Sequence, residues 1–335
     1  LTGNNTYAGG TRLRAGSLLV GSDTALGTGA LTAAGGVLDN TAPVSLSNAV
    51  VLEQNLALSG NQDLALGGSV SGTGALIKNG NAALSLTGTN NFTGGVTLNA
   101  GTLLINSGAA LGTGVLTAAD ATRLDTTAAA SVGNNVALLG ALTVGGSNAL
   151  DLTGTVSGTG SLIKEGAGAL TLTGNNVYSG GTQLAAGSLV VGADAALGTG
   201  ALTTADGTAL SARTAVTLQN GIALGGALSI DGQPLTLNGV VSGAGSLIKN
   251  GTNALTLNGD NTWAGGLQLQ AGSVLVGSDT ALGLGTLTAA AGTTLDATTA
   301  ATLGNAVAVD GALTIGGTQD LTLNGVVSGA GIRGC

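Results

Sequence analysis

The chain has 335 residues, a formal net charge of −8, 63 glycines, 2 prolines and 1% aromatic residues, with a mean hydropathy of +0.47. So few aromatic side chains cannot fill the cores of several globular domains, while the abundant Leu, Val and Ala are untypical of a disordered chain. The acidic balance disfavours binding to nucleic acid or to anionic membranes, because both need clustered Lys and Arg. Gly, Thr, Asn or Ser interrupts every apolar stretch, so no transmembrane segment is expected.

Residue types that much catalytic and metal chemistry requires are missing. The chain has no histidine and one cysteine, Cys335, which excludes an internal disulfide, a Cys/His metal site and a serine nucleophile activated by histidine. Methionine is absent, and Leu1 lies in the middle of a repeat. We therefore expect the sequence to be a piece of a longer protein.

Read from Leu1 onward, the chain repeats itself at a nearly constant period. The only aromatic residues of the chain occupy one fixed position of this repeat, and the only lysines occupy another. The aromatic residues are Tyr7, Phe92, Tyr178 and Trp263, and the lysines are Lys78, Lys164 and Lys249. Successive members are 85 or 86 positions apart. Self-similarity at a fixed period predicts a repeat architecture. The copies are residues 1–85, 86–171, 172–256 and 257–335, the last one incomplete.

Each copy contains a shorter period of strand-like segments. Leu64 and Leu66 recur as Leu84 and Leu86, and Gly, Asn, Asp or Ser interrupts the aliphatic runs. Segments this short can stack as coils that pair through main-chain hydrogen bonds. The pattern predicts one all-β domain over residues 1–335, a parallel β-helix of about 16 coils, with four coils of about 21 or 22 residues in each copy.

The alternation of residue types separates inward from outward positions. Leucines between variable polar neighbours are expected to point inward; they are Leu13, Leu98, Leu184 and Leu269. Glycine suits tight corners that need φ > 0. Asparagines of one phase are expected at corners, in left-handed geometry and bonded to their own backbone; they are Asn5, Asn90, Asn176 and Asn261.

One motif of the repeat is specific enough to indicate a family. Gly72-Thr73-Gly74-Ala75-Leu76-Ile77-Lys78 is followed by Leu84-Ser85-Leu86-Thr87-Gly88-Thr89-Asn90-Asn91-Phe92-Thr93-Gly94-Gly95. This motif, complete at residues 72–105, 158–191 and 243–276, closely resembles the passenger-associated transport repeat of type V autotransporters of Gram-negative bacteria. The resemblance implies a right-handed parallel β-helix that is exported through the periplasm and displayed at the cell surface. It also implies a C-terminal outer-membrane β-barrel in the full-length protein. In the fourth copy Cys335 stands where the lysine is expected, which we interpret as a truncation or an assembly artefact, with a native terminal thiol as the alternative.

The titratable residues are mostly periodic, which favours structural roles. Asp beside Gly or Thr is typical of turns, and four phases are present: Asp39, Asp125 and Asp296; Asp23, Asp194 and Asp279; Asp120 and Asp206; Asp63 and Asp320. Asp120 and Asp125 are the nearest candidates for a carboxylate pair that hydrolyses glycosides or binds Ca²⁺. Neither has a histidine, a lysine or a second acid beside it in the same coil, so we expect no catalytic, cofactor or metal site.

Three other features have a functional and a structural interpretation. The lysines are expected to be structural or solvated, although they could act as bases. The aromatic residues are expected to cover a corner of each repeat, although they could form a carbohydrate platform. Arg12 and Arg14 form an outward basic spot in the first copy, which is expected to be a solvated surface.

The function expected from the sequence is therefore non-enzymatic. A surface-displayed or secreted passenger segment would act as a stalk or adhesin in cell–cell, host or biofilm contact, through many weak contacts. Its partners would be surface glycans, surface proteins or the chain itself. The alternatives are an export or folding spacer beneath a functional domain elsewhere, a polysaccharide-acting enzyme, and an ice- or mineral-binding surface.

Overall fold

A computed structural model describes residues 1–60 and 62–329 in full and the backbone of residues 332–334. Every regular element in these ranges is a β-strand of three to five residues, and the strands form a parallel β-solenoid of about 16 turns. The all-β fold and the number of coils expected from the sequence are confirmed. The right-handed sense stays a prediction, and the truncation inferred at Cys335 lies outside the described residues.

The chain forms two compact units. Unit 1 comprises Leu1–Ile163 with Tyr178–Gly180, and unit 2 comprises Lys164–Val177 with Gly181–Cys335. The division into four copies within one domain stays a prediction.

The strands of unit 1 are β1 Thr11–Leu13, β2 Ser17–Val20, β3 Leu31–Ala33, β4 Val37–Asn40, β5 Val44–Leu46, β6 Val50–Leu52, β7 Leu56–Leu58, β8 Leu64–Leu66, β9 Val70–Gly72, β10 Leu76–Lys78, β11 Ala83–Leu86, β12 Val96–Leu98, β13 Thr102–Ile105, β14 Leu116–Ala118, β15 Thr122–Thr126, β16 Ala130–Val132, β17 Val136–Leu138, β18 Leu142–Val144, β19 Leu150–Leu152, β20 Val156–Gly158 and β21 Leu162–Lys164, which ends on the first residue of unit 2.

The strands of unit 2 are β22 Ala169–Leu172, β23 Thr182–Leu184, β24 Ser188–Val191, β25 Leu202–Thr204, β26 Thr208–Ala212, β27 Val216–Leu218, β28 Ile222–Leu224, β29 Leu228–Gly232, β30 Leu235–Leu237, β31 Val241–Gly243, β32 Leu247–Lys249, β33 Ala254–Leu257, β34 Leu267–Leu269, β35 Ser273–Val276, β36 Leu287–Ala289, β37 Thr293–Ala297, β38 Ala301–Leu303, β39 Val307–Val309, β40 Leu313–Ile315, β41 Leu321–Leu323, β42 Val327–Gly329 and β43 Ile332–Gly334.

In unit 1 the turns build three long parallel sheets, and β16 pairs with β19 in a fourth. The first sheet has the order β1-β3-β6-β9, the second β2-β4-β7-β10-β12-β14-β17-β20, and the third includes β5-β8-β11-β13-β15-β18. Paired residues are mostly 20 positions apart, as Leu76 and Val96 are, with an occasional offset of 19 or 21. One turn is therefore slightly shorter than the sequence pattern predicted.

Unit 2 has the same construction. Its longest run of paired strands is β22-β24-β26-β29-β32-β34-β36-β39-β42. A second sheet has the order β27-β30-β33-β35-β37-β40-β43, a third run is β23-β25-β28-β31, and β38 pairs with β41. All of the pairings are parallel, and most have the same offset as in unit 1, as Leu267 and Leu287 do.

The core consists of stacked aliphatic columns. In a typical strand the first and third residues are buried and the second is half-buried, as in Leu56–Leu58. The period of two follows from the pleat of the strand, and burying one such Leu or Val contributes about 1.5–3 kcal/mol. The four leucines expected to point inward are all buried: Leu13, Leu98, Leu184 and Leu269.

Equivalent strands of successive copies lie in different sheets. In unit 1, β1 of the first sheet corresponds to β12 of the second, and β2 of the second corresponds to β13 of the third. In unit 2, β23 and β34 are likewise in neighbouring sheets. The reason is that one copy is longer than four turns by about one strand and its corner. The prediction of four whole coils per copy is wrong, because each copy spans about four and one third turns. A strand of one copy and the equivalent strand of the next copy therefore lie on neighbouring sides of the solenoid.

Glycines with positive φ allow close contact at some of the corners. Gly283 has φ 64°, and a Cβ there would lie 2.6 Å from the carbonyl oxygen and 2.8 Å from Cδ2 of Trp263. Gly292 has φ 81°, but no heavy atom lies within 4 Å of the corresponding position. Ala121 occupies the equivalent corner in the second copy, with φ 56°. A side chain at Gly292 would therefore cause backbone strain alone, whereas a side chain at Gly283 would cause backbone strain and a steric clash with Trp263.

Gly283→Ala and Gly292→Ala test this distinction. We expect Gly292→Ala to lower the free energy of unfolding by about 1–2 kcal/mol, the cost of left-handed geometry with a Cβ. Gly283→Ala should add overpacking of about 1–3 kcal/mol against Trp263. Urea unfolding followed by circular dichroism measures both, with Ala121→Gly as the converse variant that gains stability. Equal losses at the two glycines would contradict the contact with Trp263.

Candidate functional surface

The lysines lie inside the solenoid. Lys78 is the inward third residue of β10 and is 4% exposed. Its Nζ donates hydrogen bonds to the carbonyl oxygen of Gly80, at its own corner, and to that of Ala100, on the following turn, at 3.2 Å. The ammonium group therefore links two successive turns through acceptors that the backbone leaves unpaired.

The other two lysines repeat this arrangement. Lys249 is 3% exposed and donates to two corner carbonyls in the same way. Lys164 is 1% exposed and donates to the carbonyl oxygens of Glu165 and Gly166, both at 2.7 Å, and to that of Ala186 at 3.2 Å. Of the two roles expected, the structural one agrees with this placement. A solvated role is wrong, because apolar strand neighbours bury the stems.

Burial shifts the titration of these groups. It lowers the pKa of Lys78 and of Lys249 because the charged form loses hydration, and the nearby carboxylates of Asp63 and Asp231 oppose the shift. A general base must reach the proton that it removes, whereas these nitrogens are enclosed and already bonded to backbone oxygens.

The buried lysines make stability depend on pH. Their pKa is lower in the folded chain than the ordinary value of 10.5, so the unfolded chain binds more protons between the two values. The free energy of unfolding should therefore rise with pH through that window and level off above about 10.5. Lys78→Met with Lys249→Met should remove this rise and cost about 1–3 kcal/mol at neutral pH, because carbonyl acceptors lose their donor.

Urea unfolding from pH 7 to 11 measures the effect. Arg14→Met is the matched control, since it removes an exposed cation that lies outside the core. An unchanged pH slope in the double methionine variant would rule out the lysines as its source.

Three of the four aromatic side chains are fully buried at the corner after β11, β22 or β33, which is the strand that follows each lysine strand. Phe92, Tyr178 and Trp263 are 0% exposed, and Trp263 Nε1 donates a hydrogen bond to the carbonyl oxygen of Gly266 at 3.1 Å. Tyr7 is 39% exposed. The structure places these rings as packing at the corner, and the three buried faces are not open to stack on a sugar.

The asparagines of the motif connect turns. Val70 N donates to Oδ1 of Asn90 at 2.8 Å, and Nδ2 of Asn90 donates to the carbonyl oxygen of Ala110 at 2.6 Å. Asn261 makes the equivalent pair of bonds, at 2.7 and 2.8 Å. Among the described non-glycine residues, Ala121 alone has a positive φ. The expected left-handed geometry and local bonding are therefore wrong, because each amide bonds to the turns before and after it.

A second asparagine phase was not singled out from the sequence. Its members each donate Nδ2 hydrogen bonds to two glycine carbonyl oxygens about one turn earlier; they are Asn48, Asn134, Asn220 and Asn305. The signal was present, since these asparagines recur at the same period as the lysines and the aromatic residues.

Loss of one motif asparagine should be costly. Asn261→Ala removes two buried hydrogen bonds and leaves a donor and an acceptor of other turns unpaired, for an expected loss of about 2–4 kcal/mol. Asn258→Ala removes one exposed side-chain bond, to Asn238, and should change stability by no more than about 0.5 kcal/mol. Thermal unfolding of the two variants side by side would show a similar loss in both if the interior bonds of Asn261 were unimportant.

The carboxylates mostly accept backbone N–H groups. Asp23, Asp194 and Asp279 accept from a residue 22 or 23 positions on, each at 2.7 Å. The turn interpretation is wrong for the phase of Asp39, Asp125 and Asp296, which lie in strands β4, β15 and β37. These acids accept from the N–H of the next residue.

The candidate carboxylate pair has separate partners. Asp125 forms an ion pair with Arg123 at 3.4 Å, while Asp120 accepts a hydrogen bond from the N–H of Ala141 at 2.8 Å. No group of three or more acidic or cysteine side chains that could hold a metal ion occurs in the described part of the chain. Nor does any helix within those same ranges have the length and apolarity to cross a bilayer.

The outward surface consists of the middle residues of the strands, in register from turn to turn. In the second sheet of unit 1, Ile77, Thr97, Thr117, Ala137 and Ser157 form one column. In unit 2 the corresponding column runs through Ile248, Gln268, Thr288, Ala308 and Ser328. These half-exposed, mostly polar columns are the side chains that each unit presents to solvent.

The first copy differs by an ion pair. Arg12, in the equivalent column, binds Glu53 through two hydrogen bonds of 2.8 and 2.5 Å. The bond from Arg12 lowers the pKa of Glu53. One of the two charges of the expected basic spot is therefore paired, and Arg14 remains the exposed cation beside it.

Comparison with known proteins agrees with this architecture. The family model described as passenger-associated-transport-repeat matches residues 1–20, 76–105, 162–191 and 247–276. These stretches contain the aromatic corner, and the last three begin at or beside a lysine strand. No solved structure matches.

One curated relative is similar over part of its length. The adhesin BmaC autotransporter of Brucella suis biovar 1 (strain 1330) is 40% identical over 82 residues, which are 23% of this chain and 2% of the relative. The match thus spans a small fraction of that protein. Together with the repeat motif and the solenoid, it supports an autotransporter passenger domain with passenger-associated transport repeats.

Proposed function

We propose that this segment is a non-enzymatic adhesive passenger, exported to the cell surface and acting through its outward columns. The observation that carries the proposal is that different types of side chain lie inside and outside the solenoid. The lysines, the motif asparagines and three aromatic rings are used in packing, while short polar side chains recur outside, turn after turn. The name of the relative as an adhesin supports the same role.

The mechanism follows from repetition. Each column offers hydroxyl and amide groups about 4.8 Å apart, and each exposed contact is weak. Several weak contacts on one partner multiply through effective concentration. Surface glycans or surface proteins of a host or of neighbouring bacteria fit such a surface, since both present repeated polar groups.

The alternative is an export or folding spacer for a functional domain elsewhere. The same observation favours it in part, because a solenoid whose charged and aromatic residues serve its own packing is a suitable stalk. The two functions differ in whether outward side chains affect binding.

Adhesion by the full-length protein displayed on bacteria distinguishes them. We expect Gln183→Ala with Thr203→Ala, in one copy, to reduce attachment to epithelial cells or to a biofilm by a fraction. Adding Gln268→Ala with Thr288→Ala, in the next copy, should reduce attachment further. Surface expression measured by antibody is the control for export.

Three results would change the conclusion. Abolition by one substitution would indicate a discrete pocket and contradict distributed contacts. Unchanged attachment in the fourfold variant would favour the spacer. Cleavage of a polysaccharide by the purified chain would establish the enzymatic alternative.

A further inference from the structure

One recess in unit 2 combines an exposed leucine with a carboxylate. It has a volume of about 280 Å³ and lies between the corner that joins β35 to β36 and the corner that joins β38 to β39. We call it the corner recess; its lining residues are Asp279, Thr280, Gly283, Leu284, Gly304 and Asn305. Pockets for whole small-molecule ligands start at about 300 Å³, so the recess has the size for one side chain.

Leu284 forms the apolar wall of the corner recess. It is 72% exposed, and its N–H donates a hydrogen bond to the carbonyl oxygen of Trp263 at 2.8 Å. The other three copies have threonine at this position: Thr28, Thr113 and Thr199. Threonine therefore satisfies the fold, and the exposed leucine is a feature of the fourth copy that packing does not require.

The floor of the corner recess is backbone. A Cβ at Gly283 would lie 2.8 Å from Cδ2 of Trp263, so the main chain of Gly283 lies directly over the buried ring. At Gly304 no heavy atom lies within 4 Å of the Cβ position, whereas the third copy has Gln219 there. The two glycines therefore keep the recess open.

The polar groups of the corner recess include two acceptors without a donor. Asp279 Oδ1 accepts a hydrogen bond from the N–H of Thr302 at 2.7 Å, and its other oxygen has no partner in the described part of the chain. Asn305 is 7% exposed, and its Nδ2 donates to the carbonyl oxygens of Gly283 and Gly285 at 2.9 and 2.7 Å. Its Oδ1 is left without a donor among the described residues. A hydrogen-bond donor placed in the recess would satisfy both oxygens.

The charge around the corner recess is negative. The ionisable residues of positions 250–329 are Asp260, Asp279, Asp296, Asp310 and Asp320, without a Lys or Arg. Asp260 lies on the preceding turn, where its Oδ1 accepts a hydrogen bond from Oγ1 of Thr280 at 3.2 Å. The earlier copies have uncharged residues at the position of Asp260: Asn4, Thr89 and Asn175. This field attracts a cation and repels an anion.

We propose that the corner recess binds a lysine side chain of a partner protein. The ammonium group donates to the free oxygen of Asp279 and to Oδ1 of Asn305, while the aliphatic stem packs against Leu284. A wholly apolar group would leave both oxygens without a donor. Because Oδ1 of Asp279 already accepts a backbone N–H, the remaining oxygen suits the compact ammonium group better than the two-pronged guanidinium group of arginine.

The contact is weak by itself. It consists of one ion pair at the surface and one apolar contact, and exposed ion pairs contribute little. The corner recess is therefore one of the several weak contacts through which the passenger is proposed to act, and its loss should reduce attachment without abolishing it. The inference rests on the proposed function in one respect, namely that the partner is a surface protein.

Saturation-transfer NMR with the purified chain tests the corner recess. The probe is a short uncharged peptide with one central lysine, and its control is the same peptide with Nε-acetyl-lysine, which retains the stem but lacks the charge. Irradiation of the methyl groups of the chain should transfer saturation to the δ and ε methylene protons of lysine about fivefold more than to those of acetyl-lysine. Added salt should weaken the transfer to lysine. Equal transfer to the two peptides would overturn the inference.

Two substitutions test whether the transfer comes from the corner recess. Asp279→Asn removes the charge but retains an oxygen that can accept from Thr302, and Leu284→Thr installs the residue type of the other copies. Each should reduce the transfer to lysine about fivefold, and circular dichroism checks that the variants are folded. Asp194→Asn is the matched control, since Asp194 accepts a backbone N–H at 2.7 Å in the same way, but Thr199 stands where the leucine would be. An equal loss in Asp194→Asn would indicate unspecific attraction to carboxylates and contradict the proposal.

The third copy also allows the recess to be rebuilt. It already has Asp194 and Asn220 at the positions of Asp279 and Asn305. Thr199→Leu with Gln219→Gly supplies the missing wall and opens the floor, so the double variant should transfer more saturation to lysine than the original chain does. No increase would show that these residues are insufficient to bind lysine, against the proposal.

The outcome is separable from that of the adhesion experiment. Binding of a peptide in solution requires no host cell and no display. If the chain failed to bind lysine while the outward-column variants still reduced attachment, the proposed function would stand and this inference would be wrong. If the recess bound lysine while attachment did not depend on the outward columns, the inference would stand and the distributed adhesive function would be wrong.

Discussion

Each turn must match the next in hydrogen bonding, because strands of three to five residues cannot form a sheet alone. Most turns therefore have the same length, and a residue pairs with the one 20 positions later. The corners between the strands leave backbone groups unpaired inside the stack. Lys78 satisfies such carbonyl groups of two turns, and Asn90 supplies an acceptor to one turn and a donor to another. The repeated polar residues of the motif thus serve the junctions between turns.

The mismatch between the copy and the turn has a consequence for binding. The length of a copy is not a whole number of turns, so within each unit equivalent strands appear on neighbouring sides. The outward columns of successive copies therefore face different directions. A single flat partner contacts one column rather than every copy, so avidity comes from the several contacts along that column and from several displayed molecules. Differences between copies, such as Leu284 against Thr199, then decide what each side contacts.

Interior and exterior contribute to function in different ways. Inside, residue identity is restricted by volume and by unpaired backbone groups, so substitutions there are expected to act on stability. Outside, the middle residue differs from strand to strand, for example Arg12, Thr97 and Ile77, without affecting the ladder. Binding specificity can therefore change along one side of the solenoid while the fold is retained.

The sequence by itself determined the all-β solenoid, the number of coils, the inward leucines and the family, because period-two alternation and the spacing of lysines and aromatics are linear properties of the chain. It did not determine which way Lys78 points, since a lysine beside Leu76 and Ile77 fits a solvated edge as well as a buried corner. Asn90 was assigned to a local turn, whereas its partners lie on the turns before and after it. Turn length and the shift of each copy to the next side were likewise decided only by tertiary structure. The physical reason is that an acceptor left unpaired at one corner is satisfied from another turn, and this pairing exists only after the turns have stacked.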